Sequence, residues 1–379
     1  MRRLIFEDEH EQFRESVRGF LSREAAPRAA AWQAAGIIDR DFWELAAAQG
    51  LVGLAVPERY GGSGVDDFRF NAVLDEEVVR TGATTDAFGL TNDVLTPYLV
   101  DLTDEEQRRR WLPGLTDGSI VPAIAMTEPG AGSDLRGIAA TATWDGDAYL
   151  LSGSKTFVTS GIQADLVIVA AQVRREGVEG VGLFAVEAGS KGFERGRKLE
   201  KVGRRAQDTA ELFFDKVRVP PENVIGEAGQ GLALLMRNLA QERLGMAVTA
   251  LASAERALAI TLDYAREREA FGQPIGRFQA NKFSLAEMST EVAVGRAFVD
   301  RCIEAHVGRE LSGPEAAGAK YWATELEFRV IDRCLQLHGG YGYMEEYEIS
   351  RLWRDSRVQR IYGGTTEIMK EIVGRSLGL

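Results

Sequence analysis

Apolar residues in the first third of the chain recur at the three- and four-residue spacing of an α-helix. The pattern holds in successive segments between residues 7 and 117, and Pro and Gly interrupt it in the stretch PERYGGSG over residues 57–64. Thr103 and Glu106 match the S/T-x-x-E capping box, which predicts that the last of these helices begins there. We therefore expect an α-helical domain over residues 1–118.

The periodicity changes near Ile120 to short apolar runs that are separated by turn residues. Seven such runs, from SIVPAIAMTE to AELFFDKVRV, have the length and composition of β-strands. Asp145 and Gly146 stand between two runs and predict a hairpin. The pair Pro220 and Pro221 ends the pattern. A central β domain, either a small barrel or a sandwich, is expected over residues 119–224.

Helical spacing returns after Gly231 and holds nearly to Leu379. The segments are long, and they are broken only at FGQPIG, LSGPEAAG and HGGYGY. Long helices with short breaks predict a helix bundle over residues 225–379. The expected fold class is thus α+β and multidomain, with a helical domain, a central β-barrel or sandwich, and a helix bundle in that order.

Composition and charge narrow the class of protein. A chain of 379 residues with 45% hydrophobic and 27% charged residues is typical of a globular protein with substantial cores. No apolar run approaches the ~18 residues of a membrane span, and the N-terminus lacks a signal-peptide pattern, so we expect a soluble, cytoplasmic protein. The formal net charge of -12 disfavours nucleic acid as a partner. The three His residues are too scattered for a metal cluster, so no metal site is expected.

The glycine-rich stretch AMTEPGAGSDLRG, Ala125 to Gly137, is the first candidate for chemistry. It leads into a β-like run and not into a helix, which argues against a dinucleotide-binding fingerprint. One interpretation is a loop whose backbone amides and hydroxyls, from Thr127 and Ser133, face a polar ligand. A plain glycine-rich connection between strands remains open.

Five segments, in order along nearly the whole chain, resemble the acyl-CoA dehydrogenase family. They are AMTEPGAGSD, FVTSG, REREAFGQPIGRFQ, QLHGGYGYMEEY and RIYGGTTEIMKEIVGR. The resemblance implies a helical domain, a β domain and a C-terminal four-helix bundle. It also implies non-covalent FAD, an acyl-CoA substrate, electron-transferring flavoprotein as electron acceptor, and a homotetramer built as a dimer of dimers.

The resemblance also implies the binding residues. Those expected at the flavin ring and its surroundings are Ala125, Met126, Thr127, Gly132, Ser133, Phe157, Val158, Thr159, Thr365 and Glu367. Those expected at the pyrophosphate and adenosine of a neighbouring subunit's FAD are Arg268, Phe271, Gln279, Gln336, Gly339 and Gly340. Those expected at the acyl-CoA are Ser133, Leu239, Arg243, Tyr362, Gly363 and Gly364.

The catalytic base is the unusual feature of the sequence. Many family members carry a catalytic glutamate at the position of Gly363, whereas the long-chain and isovaleryl branches carry it on the first long helix of the C-terminal domain, where this chain has Glu242. Glu242 interrupts an apolar helix face that includes Leu235 and Met246, so its pKa is expected to be raised. We predict that Glu242 is the base and that the Gly363 N–H binds the thioester carbonyl. A structural salt bridge at Glu242 is the alternative, and Glu367 is interpreted mainly as a helix-dipole residue.

The segments QERL and YGGTTEIMKE look most like the long-chain branch. The expected reaction is α,β-dehydrogenation of a medium- to long-chain acyl-CoA, including branched chains, to a trans-2-enoyl-CoA. Two alternatives remain: a non-catalytic acyl-CoA and FAD-binding subunit of a hetero-oligomer, and an oxygen-using relative such as an acyl-CoA oxidase or a flavin monooxygenase.

Overall fold

The computed structural model describes residues 3–85 and 87–379. Its N-terminal part is helical, as predicted. Its helices are α1 (Asp8–Phe20), α2 (Ala29–Ala35), α3 (Arg40–Ala48), α4 (Phe68–Thr81), α5 (Ala87–Gly89), α6 (Thr96–Asp101) and α7 (Glu105–Thr116). A π-helical turn, Leu90–Leu95, joins α5 to α6. Such turns hold an extra residue and are frequent at functional sites.

The predicted capping box of the last N-terminal helix is wrong by one residue. The side chain of Asp104 accepts a hydrogen bond from the Gln107 amide, and the Gln107 side chain accepts one from the Asp104 amide. The Thr103 hydroxyl instead donates to the carbonyl of Leu99, at the end of α6. Asp is as good an N-cap as Thr, so the sequence offered two adjacent capping boxes.

The central part is a single eight-stranded sheet. Its strands are β1 (Pro122–Ala125), β2 (Thr141–Trp144), β3 (Tyr149–Thr159), β4 (Leu166–Arg174), β5 (Val181–Glu187), β6 (Phe193–Lys198), β7 (Thr209–Val219) and β8 (Val224–Ile225). The strand order is β6-β7-β3-β2-β4-β5-β8, with β1 paired in parallel to β4. The predicted hairpin at Asp145 and Gly146 is confirmed, because it joins β2 to β3.

The eight strands differ from the seven predicted runs in two respects: β6 and β8 were not predicted, and two predicted runs form one strand. The runs AYLLSG and KTFVTS form one continuous strand, β3, which is interrupted by register shifts between Leu151 and Gly153 and between Lys155 and Val158. Such bulges bend a strand and redirect its side chains. The end of β3 that carries Phe157 to Thr159 is therefore set at an angle to its beginning.

The C-terminal part is again helical, as predicted. It consists of α8 (Gly231–Glu267), α9 (Gln279–Val307), α10 (Gly313–His338), α11 (Glu348–Ser356) and α12 (Thr366–Ser376), with a two-stranded ribbon of β9 (Glu269–Ala270) and β10 (Gln273–Pro274) after α8. Helix α8 packs along α10 and α9, and its other side packs on α4 and on the π-helical turn. This helix therefore stands between the N-terminal part and the bundle.

By length and composition, α8 is also apolar enough to cross a membrane, which the sequence analysis did not anticipate. About two thirds of its most apolar window, 67%, is buried inside the protein. That burial is typical of the core helix of a soluble protein, which passes the same test.

Candidate active site

A cavity of about 130 Å³ lies where α4, the π-helical turn, α8, β3 and the segment before α12 meet. Its walls combine apolar side chains with carboxyl and hydroxyl groups. The lining residues are Asp75, Val78, Thr85, Gly89, Leu90, Asp93, Val94, Thr159, Arg204, Gln207, Glu242, Gly245, Met246, Thr249, Tyr362 and Gly363. Four residues that the sequence predicted, Thr159, Glu242, Tyr362 and Gly363, are thus brought together from three distant segments.

Glu242 is buried in this cavity with only 7% of its surface exposed. Its Oε2 atom has no hydrogen-bond partner among residues 3–85 and 87–379, so the salt-bridge alternative has no bonded partner there for this oxygen. Burial raises the pKa of Glu242 to about 7, and the charge of Asp93 acts in the same direction. Arg243 and Lys320 act to lower the same pKa. A buried carboxylate that titrates near neutrality suits a general base.

Gly363 faces Glu242 across the cavity. A Cβ atom on Gly363 would lie 3.7 Å from Oε1 of Glu242 and less than 3.0 Å from the sulfur and terminal methyl of Met246. The backbone of Gly363 has φ +61°, and that of Gly364 has φ +96°, a region that L side chains rarely adopt. The place of a side chain at this position is therefore filled by Met246 and Glu242.

Lys320 supports the glycine pair from behind. This lysine lies on α10, is fully buried, and donates a hydrogen bond from Nζ to the Gly364 carbonyl over 2.7 Å. Burial lowers the pKa of Lys320 to about 8, with a further lowering from Arg243 and an opposing effect of Glu242. Sequence reasoning missed this residue. A charged residue inside the apolar stretch AAGAKYWA was the available signal.

Six of the residues predicted at the flavin ring, Ala125 to Thr127 and Phe157 to Thr159, lie where β1 ends beside β3. The Thr156 amide donates to the Thr127 carbonyl over 2.9 Å, and Lys155 Nζ donates to the Met126 carbonyl over 3.0 Å. Lys155 also pairs with Glu128 at 2.7 Å. These bonds fix the segment Ala125 to Thr127 against the strand that carries Phe157, Val158 and Thr159.

Phe157 is held in a strained and exposed position. Its φ is +57°, which is rare for an aromatic residue, and 68% of its surface is exposed. Val158 is buried, and Thr159 lines the cavity. Strain of this kind clusters at ligand sites. An exposed aromatic ring beside the cavity fits the predicted cover of a flat ring system.

Gly132 and Ser133 lie in an exposed loop after β1 and do not line the cavity. The loop is anchored by Glu128, whose carboxylate accepts hydrogen bonds from the Ala139 and Ala140 amides at 2.7 and 3.0 Å. The ligand contacts predicted for Gly132 and Ser133 stay predictions.

The residues predicted at the pyrophosphate and adenosine form a separate exposed group, and none of them lines the cavity. Arg268 directly follows α8, and its guanidinium lies 5.7 Å over the ring of Tyr341, which stands next to Gly339 and Gly340 after α10. A Cβ atom on either glycine would meet nothing within 4 Å. Phe271 (96% exposed), Gln279 and Gln336 lie on the surface too.

The remaining predicted residues do not line the cavity. Leu239 is half-buried, and Arg243 is buried with an Nε atom that has no hydrogen-bond partner in the described part of the chain. Thr365 caps α12 by accepting a hydrogen bond from the Ile368 amide over 3.3 Å. Glu367 is exposed in the first turn of that helix, which agrees with its interpretation as a dipole residue.

The sequence did not reveal the acidic wall of the cavity. Asp75 on α4 and Asp93 on the π-helical turn are buried and line it, together with Thr85. Asp75 is the first of three consecutive acidic residues in the run AVLDEEVV. An exposed position for such a residue was the simpler assumption. Only the packing of α4 and the π-helical turn on α8 brings these groups to Glu242.

Comparison with known proteins agrees with this geometry. Family models described as the N-terminal, middle and C-terminal domains of acyl-CoA dehydrogenase match residues 7–119, 123–217 and 229–378. The long-chain specific acyl-CoA dehydrogenase, mitochondrial, of Sus scrofa is 46% identical over 378 residues, which cover 99% of this chain and 88% of that protein. The acyl-CoA dehydrogenase of Bacillus subtilis is 35% identical and covers 97% of this chain and 98% of its own.

A solved structure gives the same answer. The crystal structure of acyl-CoA dehydrogenase from Geobacillus kaustophilus superposes with a TM-score of 0.97 at 47% identity, and the match covers 100% of both chains. The predicted resemblance and the three-part fold are thereby confirmed. With all three domains matched in order and relatives aligned over the full chain, this protein belongs to the acyl-CoA dehydrogenase family of oxidoreductases.

Proposed function

We propose that the protein catalyses FAD-dependent α,β-dehydrogenation of medium- to long-chain fatty acyl-CoA thioesters, including branched ones, to trans-2-enoyl-CoA. The observation that carries this proposal is the buried carboxylate of Glu242, whose Oε2 has no hydrogen-bond partner in the described part of the chain, opposite Gly363. A non-catalytic binding subunit needs no such group, and leaving a carboxylate oxygen buried without a partner costs stability.

The protein's own groups account for proton removal. The α carbon of a thioester is a weak acid, so its proton is removed only when a base lies nearby and the carbonyl is polarised. Oε2 of Glu242 accepts the α proton, and the Gly363 amide donates a hydrogen bond to the carbonyl oxygen. The apolar side chains of Met246 and Val94, which line the cavity, keep water from Glu242.

The residues at the flavin positions fit FAD. Phe157 offers an exposed aromatic ring, the backbone of Met126 and Thr127 is fixed by hydrogen bonds, and Thr159 lines the cavity. When bound there, FAD supplies the acceptor for the β hydrogen. Arg268 carries the charge that a pyrophosphate requires, and open space at Gly339 and Gly340 permits close backbone approach.

Assembly and electron transfer follow from the same proposal. Arg268, Gln279, Gln336, Gly339 and Gly340 are exposed and line no part of the cavity of their own chain, which supports binding to the FAD of a neighbouring subunit. We propose a homotetramer, built as a dimer of dimers, that passes electrons to electron-transferring flavoprotein. A cytoplasmic location is part of the same proposal.

The test uses the FAD-loaded protein under anaerobic conditions. Acyl-CoA thioesters of graded length are mixed with wild type, with Glu242→Gln, and with Glu371→Gln as a matched control on the surface of α12. Rapid flavin bleaching in wild type and control, with loss of about a thousandfold or more in Glu242→Gln, supports the proposal. Flavin bleaching in Glu242→Gln at the wild-type rate would contradict the proposal. Reoxidation by air alone, at the rate that the flavoprotein acceptor gives, would favour the oxygen-using alternative.

A further inference from the structure

The wall of the cavity that faces α8 carries two buried carboxyl groups. Asp75 is 6% exposed and Asp93 is 4% exposed, and both line the cavity together with Glu242. A cavity built only for hydrocarbon would be expected to have apolar side chains at these positions, because burying a carboxyl group costs free energy. The positions of the two groups therefore call for a chemical explanation.

The two carboxyl groups converge on one point. A Cβ atom on Gly89 would lie 3.3 Å from Oδ1 of Asp75 and 3.6 Å from Oδ2 of Asp93. A hydrogen bond between two carboxyl groups requires a proton on one of them, because two carboxylates repel each other. Asn71 Nδ2 also donates to Oδ1 of Asp93 over 2.7 Å. Burial raises the pKa of Asp93 to about 6, so this carboxyl group keeps its proton to a higher pH than an exposed one does.

Helix α8 is shaped to admit Asp93. A Cβ atom on Gly245 would lie less than 3.0 Å from Oδ2 of Asp93, so any larger residue there would push the carboxyl group away. Gly245 follows Glu242 by three residues, which is roughly 4.5 Å along a helix. The acidic wall therefore lies about one helical turn from the base along α8.

An unpartnered hydroxyl lines the same cavity. Thr85 is 1% exposed, and its Oγ1 atom has no hydrogen-bond partner among the residues that the structure describes. A buried hydroxyl without a partner is destabilising, and a saturated hydrocarbon chain could not relieve that cost. This observation is independent of the two carboxyl groups, and it also indicates a polar ligand.

From these contacts we infer that the cavity selects acyl groups that carry a hydrogen-bond donor, a hydroxyl or an ammonium group, several carbons beyond the β carbon. The inference rests on the proposed function and narrows its substrate class. The donor bonds to the pair of Asp75 and Asp93, and a hydroxyl at that place also accepts a hydrogen bond from Thr85. The dehydrogenation itself is unchanged, because Glu242 and Gly363 act at the other end of the acyl group.

The experiment compares octanoyl-CoA with hydroxyoctanoyl-CoA isomers that carry the hydroxyl at the fourth, fifth, sixth or terminal carbon, and with the corresponding amino compounds. We expect kcat/KM of the FAD-loaded enzyme to be about tenfold or more higher for at least one donor-bearing isomer than for octanoyl-CoA. The amino and hydroxy arms identify which donor is preferred. Binding of the same thioesters to the Glu242→Gln holoenzyme, measured by calorimetry, should show the same order without turnover.

Two variants test the residues. Thr85→Val should lower the preference for the hydroxy isomer severalfold, and Asp93→Asn should lower it for both donor classes, whereas Thr290→Val, the same change on the exposed face of α9, should leave it unaltered. Thermal unfolding of each variant verifies that it is folded. If octanoyl-CoA is used and bound as well as every isomer, the inference is overturned while the proposed function stands. If no thioester reduces the flavin, the proposed function fails and the inference fails with it.

Discussion

Glu242 and Gly363 face each other across the cavity. A Cβ atom added to Gly363 would lie 3.7 Å from Oε1 of Glu242. Glu242 contributes a carboxylate from within a helix, whereas Gly363 contributes a backbone amide from a turn and has no side chain. The two halves of the proton-transfer site therefore come from α8 and from the segment before α12, 121 residues apart along the chain.

The rate of flavin reduction should depend on pH with a midpoint near neutrality. Burial raises the pKa of Glu242 to about 7, and only the deprotonated carboxylate accepts a proton. The kcat/KM for a good thioester should therefore rise as pH increases through about 7 and then level off. Anaerobic stopped-flow measurements over this range provide the check. A rate that stays constant from about pH 5 to pH 8 would contradict the assignment.

The same pKa predicts a gain of stability in Glu242→Gln. The folded protein holds the proton more tightly than the unfolded chain, where the ordinary value is 4.5. The contribution of Glu242 to the stability of the folded state is thus fully present below a pH of about 4.5, and it is lost as the pH rises through about 7. At a pH of about 8 the variant should be more stable than wild type by roughly 3 kcal/mol, and at a pH of about 4 the two should be equal. Calorimetric unfolding of both holoenzymes at the two pH values decides this.

Moving the carboxylate to the other position should require room as well as chemistry. Gly363→Glu in the Glu242→Gly background would place its Cβ less than 3.0 Å from the end of Met246, at a φ of +61° that costs about 1–3 kcal/mol. We expect little activity from this pair of changes. The added change Met246→Ala should recover part of it, because the obstructing atoms are the end of a flexible side chain. Equal activity with and without Met246→Ala would show that packing is not the obstacle.

Removing the buried cation should affect both the glycine loop and the base. Lys320→Met deletes the 2.7 Å bond to the Gly364 carbonyl and a charge that lowers the pKa of Glu242. We expect kcat to fall about tenfold or more and the midpoint of the pH profile to move upward. Lys282→Met, on the surface of α9, is the control. A purely structural role would lower thermal stability and leave the pH midpoint unchanged.

The buried pair of Lys155 and Glu128 should be required for a stable flavin surface. Lys155→Met would leave Glu128 buried without its partner at 2.7 Å and would free the Met126 carbonyl. We expect a loss of about 3–5 kcal/mol in unfolding free energy and weaker retention of FAD on dilution. Lys191→Met, an exposed lysine in the turn before β6, should change neither measurement. Full retention of FAD in Lys155→Met would show that this pair does not support the flavin surface.

The sequence predicted the order of helical, β and helical parts because each part has its own apolar period. It also placed Glu242 on a buried helix face, since a carboxylate in an apolar stripe is visible in the pattern alone. The predicted capping box was wrong by one residue because Thr103 and Asp104 are adjacent and both are suitable N-cap residues. Two predicted strands became one because β-bulges let a strand continue where its alternation breaks.

The acidic wall could not be predicted in the same way. Asp75, Asp93 and Thr85 come from separate parts of the helical domain, and their meeting with Glu242 depends on how α4 and the π-helical turn pack on α8. A glycine weakens the interior of a helix, but Gly245 makes room for Asp93 in the structure. Such contacts depend on three-dimensional packing, which has no local signature in one sequence.

The π-helical turn Leu90–Leu95 makes the polarity of the cavity sensitive to the number of residues in this turn. A π-helical turn contains one residue more than an α-helical turn. Deletion of a single codon here would restore α-helical spacing and rotate the residues on one side of the deletion by about 100° relative to the other. Asp93 would then leave its place over Gly245 without any substitution at either position. One insertion or deletion in this turn could thus convert an acidic acyl cavity into an apolar one during evolution.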